Sequence, residues 1–399
     1  MYLSNEEERI LDGEEGGAAA TAMKLLVTIG DMFDAERLIP IGSAQVSGIS
    51  YKTIGDAGLE FIEGFAEDGA RASVHTTINP AGMDLENWRE MGVPEDFAKK
   101  QMRIVTALGK MGISLTCTCT PYLLGTPPRL REHLAWAESS AVIFANSVLG
   151  ARTNREGGPT SLASAIIGKT PLYGLHQDEN RSPKVTVHVK ARLQNELDFS
   201  LLGFFIGKVA PGDIPLIDLS GQPADVTSLK SMGASMATSG GQALYHVRDL
   251  TPESRIFNVN TIRDKIDVER SDLESTKDSL SKDDSPDYVC IGCPHCGIEE
   301  IEAISRASHG RQFSKKVMIF TSRHIWSLAR SKGLLESIVR AGGNVIRDTC
   351  MVVAPLEEMG IRNVMTNSAK AVYYMPLLGG ACASLQDLGG ALEYAIRGD

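Results

Sequence analysis

The chain has 399 residues, 43% hydrophobic and 23% charged, with a formal net charge of -10. A large core is therefore available, and no basic field exists to collect nucleic acid or anionic lipid, so an anionic substrate has to be caught by a local basic pocket. No apolar run approaches the roughly 20 residues needed to span a bilayer and the acidic start resembles no secretory leader, so a cytoplasmic protein with no nucleic-acid or membrane partner is expected.

Ser4 and Glu7 have the spacing of a capping box and open an amphipathic helix through Ala18, Met23 and Leu26, with a break near Gly16 and Gly17. Arg37 to Ile41 and Val74 to Ile78 read as strands, and Pro94 starts a helix running to about Gly112. This alternation argues for an α/β fold, with mostly parallel sheets flanked by helices. From Gly150 to Gly241 the chain is richer in Gly, Ser, Thr and Pro, and its runs Ala151 to Gly158 and Ala237 to Gly241 read as loops with exposed backbone donors. A charge-dense run from Arg263 to Asp284 predicts a linker or exposed helix over 263–285, between N-terminal and central lobes in 1–262 and a C-terminal lobe in 286–399. In that last lobe Asp287 to Ile291, Lys316 to Phe320 and Asn344 to Arg347 read as strands, with helices beginning near Ile298 and Ser322.

Seven cysteines, an odd number in a chain that needs no stapling, point to reduced thiols or metal ligands. Three cysteine-bearing segments close predicted strands: Ser114 to Cys119, Asp287 to Cys293 and Val345 to Cys350. Carboxyl ends of parallel strands are where α/β folds build sites. Three thiolates converging there could hold three irons of a cubane cluster and leave one iron open to substrate, as a Lewis acid requires. A competing local reading is Cys290-x2-Cys293-x2-Cys296, part of a ferredoxin-type loop or, with His295, a zinc site. Cys117 and Cys119 are expected on opposite faces of a strand, so that one joins a site and the other joins the core. Cys382 reads as packing.

Several segments resemble one family. Cys119-Thr120-Pro121-Tyr122-Leu123, Ala151-Arg152-Thr153-Asn154-Arg155-Glu156-Gly157, Gly292-Cys293-Pro294-His295, Asp348-Thr349-Cys350 and Thr366-Asn367-Ser368-Ala369-Lys370 look like the aconitase X signature, over essentially the whole chain. The resemblance implies an aconitase-like multi-lobed assembly with an iron-sulfur cluster, of the [4Fe-4S] type, in the cleft between lobes. It implies cluster ligands at Cys119, Cys293 and Cys350, and gives no role to Cys290 or Cys296. Family members are hydro-lyases: archaeal phosphomevalonate dehydratases of separate large and small subunits, and bacterial hydroxyproline dehydratases, often with the small subunit fused. The chain ends at Asp399 without a fused small domain. That favours the large subunit of the two-subunit enzyme, which dehydrates (R)-5-phosphomevalonate to trans-anhydromevalonate 5-phosphate in the archaeal-type mevalonate pathway. Gln45 departs from the family pattern, in which many relatives place histidine.

Loss of water from a 3-hydroxy acid needs a base for the proton beside the carboxylate, and an acid or metal for the departing hydroxide. Arginine forks and a lysine suit the substrate's carboxylate and phosphate, so Arg152, Arg155 and Lys370 are candidates, with Thr153 and Asn154 in the same loop. Ser43, Thr76, Asn79, Asn146 and Ser147 are candidate polar partners. For a lone arginine a surface salt bridge is the ordinary role, and Asn79-Pro80 is also an ordinary turn starter. His246, His295 and His324 each suit a hydrogen-bonded structural role, and His295, two residues from Cys293, has the best case for supporting the metal site. No residue is a convincing base, and the resemblance implies that a serine of the small subunit completes the site. Dehydration of cis-3-hydroxyproline or another hydroxy acid is the second enzymatic reading, and a zinc- or cluster-bearing interaction module is the non-enzymatic one.

Overall fold

The computed structural model describes residues 1–257, 262, 264–281 and 285–398. Three parallel sheets, formed in chain order, carry the described residues. The first contains β2 (Ser43–Val46), β3 (His75–Ile78) and β4 (Leu134–Trp136), while β1 (Leu38–Pro40) and β5 (Lys169–Pro171) form a small antiparallel pair beside it. The second contains β6 (Val185–Val189), β7 (Pro215–Asp218), β8 (His246–Val247) and β9 (Asp264–Val268). The third contains β10 (Tyr288–Cys296), β11 (Lys316–Thr321), β12 (Gly343–Arg347), β13 (Asn363–Thr366) and β14 (Cys382–Leu385).

All three sheets are wound in one order. In the third, β10 lies at the centre, β11 and then β12 add on one side, and β13 and then β14 on the other. In the first, β2 lies between β3 and β4, and isolated parallel bridges extend it at both edges, Thr77 with Ser114 and His133 with Arg152. The second repeats the pattern with β6 between β7 and β9. Reversing the direction of strand addition leaves a crevice outside the carboxyl ends of the two strands where the order turns. Those strands are β2 and β4 in the first sheet, and β10 and β13 in the third.

The N-terminal capping box forms, with Ser4 and Glu7 capping Asn5–Leu11 before a second helix, Gly17–Met32, whose Ala18, Met23 and Leu26 are buried. Pro94 caps Glu95–Lys110, and the helices Ile298–Ser308 and Arg323–Ser331 follow β10 and β11, the latter capped by Ser322. Parallel strands buried on both faces need apolar runs and helical crossovers, and Val289, Ile291, Val317 and Ile319 pack accordingly against Ile301 and Ile304.

Three local expectations change. Ala237 to Gly240 is no loop but the last turn of the helix Val226–Gly240, whose small residues let it pack closely on Glu196–Val209. The charged run read as a linker or exposed helix contains the helix Arg270–Leu280 and also β9, which pairs along its length with β6. Only Val268 of β9 is fully buried and Ile266 partly so, two apolar residues in a charged segment that leave too short an alternation to read. The ends of that run, Arg263 and Asp284, lie outside the described residues. Finally, the segment before Cys119 is not a regular strand beyond Ser114; Cys117 turns at φ 44°, and this turn, not strand alternation, sends Cys117 into the core and Cys119 elsewhere.

Candidate active site

The crevices of the first and third sheets face one another across a cavity of about 280 Å³. The exits of β2 and β3 supply Ser47, Gly48, Asn79 and Pro80, and the exit of β4 supplies Ala137, Glu138 and Ser139. Cys293 comes from the irregular part of β10, Cys350 from the turn after β12, and Lys370 from the helix after β13. Thr53, Cys119 and Arg155 complete this polar set, with Val352, Val353, Tyr374 and Leu378 as the apolar wall.

The three cysteines are thus delivered by three separate segments, two turns and the irregular end of β10. Cys119 and Cys350 each lie two residues after a non-glycine residue in the left-handed region, Cys117 at φ 44° and Asp348 at φ 68°. The second turn is clamped by Arg323, whose Nε donates to Asp348 Oδ1 at 3.2 Å, and the Ala81 N-H donates to the Asp348 carbonyl at 2.8 Å. Cys293 follows Gly292, where φ is 112° and an added Cβ would lie 2.2 Å from the Phe320 carbonyl oxygen, so no side chain fits. The β10 to β11 register shifts between Ile291 and Cys296 around this point.

Burial pushes all three thiols up, Cys293 to about 12, so without a positive partner they stay protonated. Polar groups nevertheless approach the sulfurs: the His295 N-H points at Cys119 Sγ at 3.2 Å, and the nearby Ser368 hydroxyl and the backbone N-H groups of Val352 and Val353 act to lower the Cys293 and Cys350 thiols against burial. Soft sulfur ligands with N-H and O-H donors aimed at them suit an iron-sulfur cluster. Among the described residues no group of three or more His, Cys, Asp or Glu could hold a single metal ion. The Cys290-x2-Cys293-x2-Cys296 spacing does not converge: Cys290 packs in the large core beside Met318 and Phe320, whereas Cys296 packs with Ile301 and Ile304.

Facing the cysteines is a buried ion pair. Lys370 Nζ lies 2.6 Å from Glu138 Oε1 and 2.6 Å from Ser140 Oγ, while Glu138 Oε2 accepts the Ala141 N-H at 2.7 Å. Burial pushes the Glu138 carboxyl up, but the Lys370 charge and these donors hold it below the usual carboxylate range. Burial acts to lower Lys370, and Glu138 and the cysteines raise it above its ordinary value. Both groups are therefore charged. Glu138 and Ser139 were not singled out from the sequence; the available signal was a carboxylate immediately after the apolar strand Leu134–Trp136, at a carboxyl end.

The other sequence candidates are placed apart. Asn79, Arg155 and Lys370 line the cavity, but Ser43 stands at the amino end of β2, accepts from Trp136 Nε1 at 3.1 Å and lines a different cavity with His75 and Thr77. Thr76 is buried within β3 and donates to the Val74 carbonyl. Asn146 spans the Thr153 and Ala243 carbonyls and accepts from the Thr153 N-H, and Ser147 accepts from the Tyr245 N-H. In the loop after residue 150, Arg152 bonds to the His176 carbonyl and Asp178, Thr153 accepts from the Trp136 N-H, and Asn154 spans Tyr173 and Leu175. That loop is largely buried, so its polar side chains satisfy backbone groups that helices or strands would otherwise satisfy. Of the five polar candidates from Asn146 to Asn154, two in the helical turn Ala145–Leu149 and three in the loop, none lines the cavity. His295 lies fully buried beneath the cysteines, His246 bonds to the Arg181 carbonyl, and His324 does not line the cavity.

Two parallel-sheet crevices thus face each other, with three cysteines at strand ends and a charged lysine opposite. Family models for the first, second and third domains of aconitase X match residues 1–179, 183–278 and 286–397. The crystal structure of Thermococcus kodakaraensis aconitase X in its holo-form superposes with a TM-score of 0.93 at 45% identity, covering 99% of this chain and 100% of that one. The phosphomevalonate dehydratase large subunit of Methanocaldococcus jannaschii is 49% identical over 94% of this chain and 95% of its own length. The cis-3-hydroxy-L-proline dehydratase of Pseudomonas aeruginosa is 35% identical over 98% of this chain and 69% of its own. The chain belongs to the aconitase X family.

Proposed function

We propose that the chain is the large subunit of an iron-sulfur hydro-lyase that removes water from (R)-5-phosphomevalonate to give trans-anhydromevalonate 5-phosphate. The observation that carries this reading is the meeting of Cys119, Cys293 and Cys350 with Lys370 and Arg155 around one small cavity. Five archaeal relatives, 40–49% identical along nearly their whole lengths, are phosphomevalonate dehydratase large subunits, which supports the choice of substrate over hydroxyproline.

Cys119, Cys293 and Cys350 would hold the cluster, whose iron without a cysteine ligand supplies Lewis acidity for the departing hydroxide. Lys370, paired with Glu138, and Arg155 put positive charge into a small cavity whose far wall is Val352, Val353 and Leu378, where it attracts the substrate carboxylate and phosphate. Asn79, at the exit of β3, offers an amide to orient the hydroxy acid. Glu138 keeps Lys370 charged and aimed; its lowered proton affinity suits that task better than proton abstraction. The base then comes from elsewhere, and we assign it to a serine of the small subunit implied by the relatives' designation as large subunits. The protein works in the cytoplasm on a small soluble substrate.

Turnover by the anaerobically reconstituted chain with its small subunit, on phosphomevalonate and on cis-3-hydroxyproline, tests this reading. Phosphomevalonate is expected to be consumed only when both subunits are present. Activity confined to the proline compound, or full activity of this chain alone, would overturn it.

A further inference from the structure

The turns carrying Cys119 and Cys350 are braced alike, each by a side chain from the central strand of its own sheet. Gln45, in β2, donates Nε2 to the carbonyl of Thr118, the residue before Cys119, at 3.1 Å. His295, in β10, bonds through Nε2 to the carbonyl of Thr349, the residue before Cys350, at 2.8 Å. The position that departs from the family pattern thus has a structural task, and His295 has the matching one on the opposite side.

His295 does more than Gln45. A carbonyl only accepts, so Nε2 carries the proton and Nδ1 has a lone pair, 3.0 Å from Thr118 Oγ1. Thr118 donates its hydroxyl hydrogen there and accepts the Thr120 N-H at 3.1 Å. The His295 backbone N-H is directed at Cys119 Sγ at 3.2 Å. One fully buried residue therefore touches the Cys350 turn, the Cys119 turn and the Cys119 sulfur, while lying two residues from Cys293. A histidine serving only the core would have no reason to spend both ring nitrogens and its backbone N-H on the segments that present the three thiols.

From behind, a second buried ion pair supports the same loop. Each sheet with its helices forms one unit, and Lys230, on the helix Val226–Gly240 of the second, donates to the His295 carbonyl at 3.3 Å and pairs with Glu300, which in turn accepts the Gly297 N-H at 2.7 Å. The loop from Cys293 to Gly297 is thus fixed from all three units.

We propose that His295 is a positioning residue that ties the Cys119 and Cys350 turns to each other and to Cys293, presetting the three thiols for the cluster. The proposal rests on these cysteines being the ligands. It concerns how the protein sets its own sulfurs, independently of which hydroxy acid is dehydrated.

The test uses His295→Ala, His295→Gln and Thr118→Val in the full chain, reconstituted anaerobically with ferrous iron and sulfide. Iron and sulfide per chain, the visible and electron paramagnetic resonance spectra, and the unfolding midpoint of the iron-free chain are read in parallel. Losing a partner that orients a metal ligand typically weakens the site by about 10–100-fold, and His295→Ala is expected to fall in that range. His295→Gln can return an N-H to the Thr349 carbonyl and is expected to recover most of the iron. Thr118→Val cuts the arm to His295 together with the Thr120 contacts of the same hydroxyl, leaves the Thr349 arm in place, and should load less iron than the native chain, with an altered cluster spectrum. Native loading and a native spectrum in His295→Ala would overturn the proposal alone, as would iron losses that merely track lowered unfolding midpoints across the variants. A native chain that takes up no cluster would sink the ligand assignment and this proposal with it.

Discussion

The first and third units share one winding order yet bring different chemistry to the cavity. From the strand exits of the first come Asn79, Glu138 and Arg155 with a single cysteine; from the third come Cys293 and Cys350 with a single lysine. The scaffold fixes where side chains arrive, and in the proposed function the residue types at equivalent exits decide whether an exit grips substrate or metal. Each unit also holds one residue that belongs functionally with the other: Cys119 completes the thiols, and Lys370 completes the polar set. The site therefore exists only when the two crevices face each other.

The largest expected effect breaks this division outright. Cys119→Ala or Cys350→Ala should lose the cluster and all turnover, while Cys290→Ala and Cys296→Ala should keep both and show only the instability of a small core cavity; iron analysis and absorption spectra separate the two outcomes. Next comes the ion pair between the units. Lys370→Met leaves the Glu138 carboxylate buried and unpaired, so stability should fall by about 3–5 kcal/mol and turnover should be lost. Glu138→Gln added to it should restore much of the stability, measured by denaturant unfolding, without restoring activity.

Within the first unit, Arg155→Gln should raise KM about tenfold or more, the scale of one lost charged hydrogen bond, with the unfolding midpoint little changed. Its neighbour separates binding from scaffolding. Asn154→Ala should leave KM alone and cost about 1–3 kcal/mol of stability, because it leaves Tyr173 and Leu175 backbone groups without their partner. Equal KM effects from both substitutions would contradict the placement of the loop.

The smallest effect is a pH dependence. His176 is buried against His133, with their Nδ1 atoms 3.0 Å apart, and burial first, then the neighbouring His133 and arginines, lower it to about 3. A histidine that stays neutral when folded binds its proton more readily when unfolded, so stability should decline as pH falls below about 6.5, by up to about 1.4 kcal/mol per unit. His176→Gln should flatten that slope between pH 6.5 and 5, as read from unfolding midpoints.

What the sequence revealed follows the same contrast. The third unit was legible because its strands are short apolar runs closed by helix caps such as Ser322, and because cysteines at strand exits have few reasons to be there. The loop at 151–157 misled: Arg152, Thr153 and Asn154 look like ligand-binding residues by type, but a buried loop needs the same residues to satisfy its own backbone. Glu138 was illegible for the opposite reason, since nothing in its neighbours announces Lys370, which lies 232 residues away. Strand β9 offers only Ile266 and Val268 as an apolar pattern, since most of its residues are exposed on the edge of the second sheet.

The most direct test of the central claim is an iron anomalous difference map from anaerobic crystals of the chain with its small subunit. The expected result is one compact cluster between the two crevices, bonded to Cys119, Cys293 and Cys350, with an iron without a cysteine ligand turned toward Asn79, Arg155 and Lys370. Iron held instead by Cys290 or Cys296, or a fourth cysteine ligand closing the cluster, would contradict it.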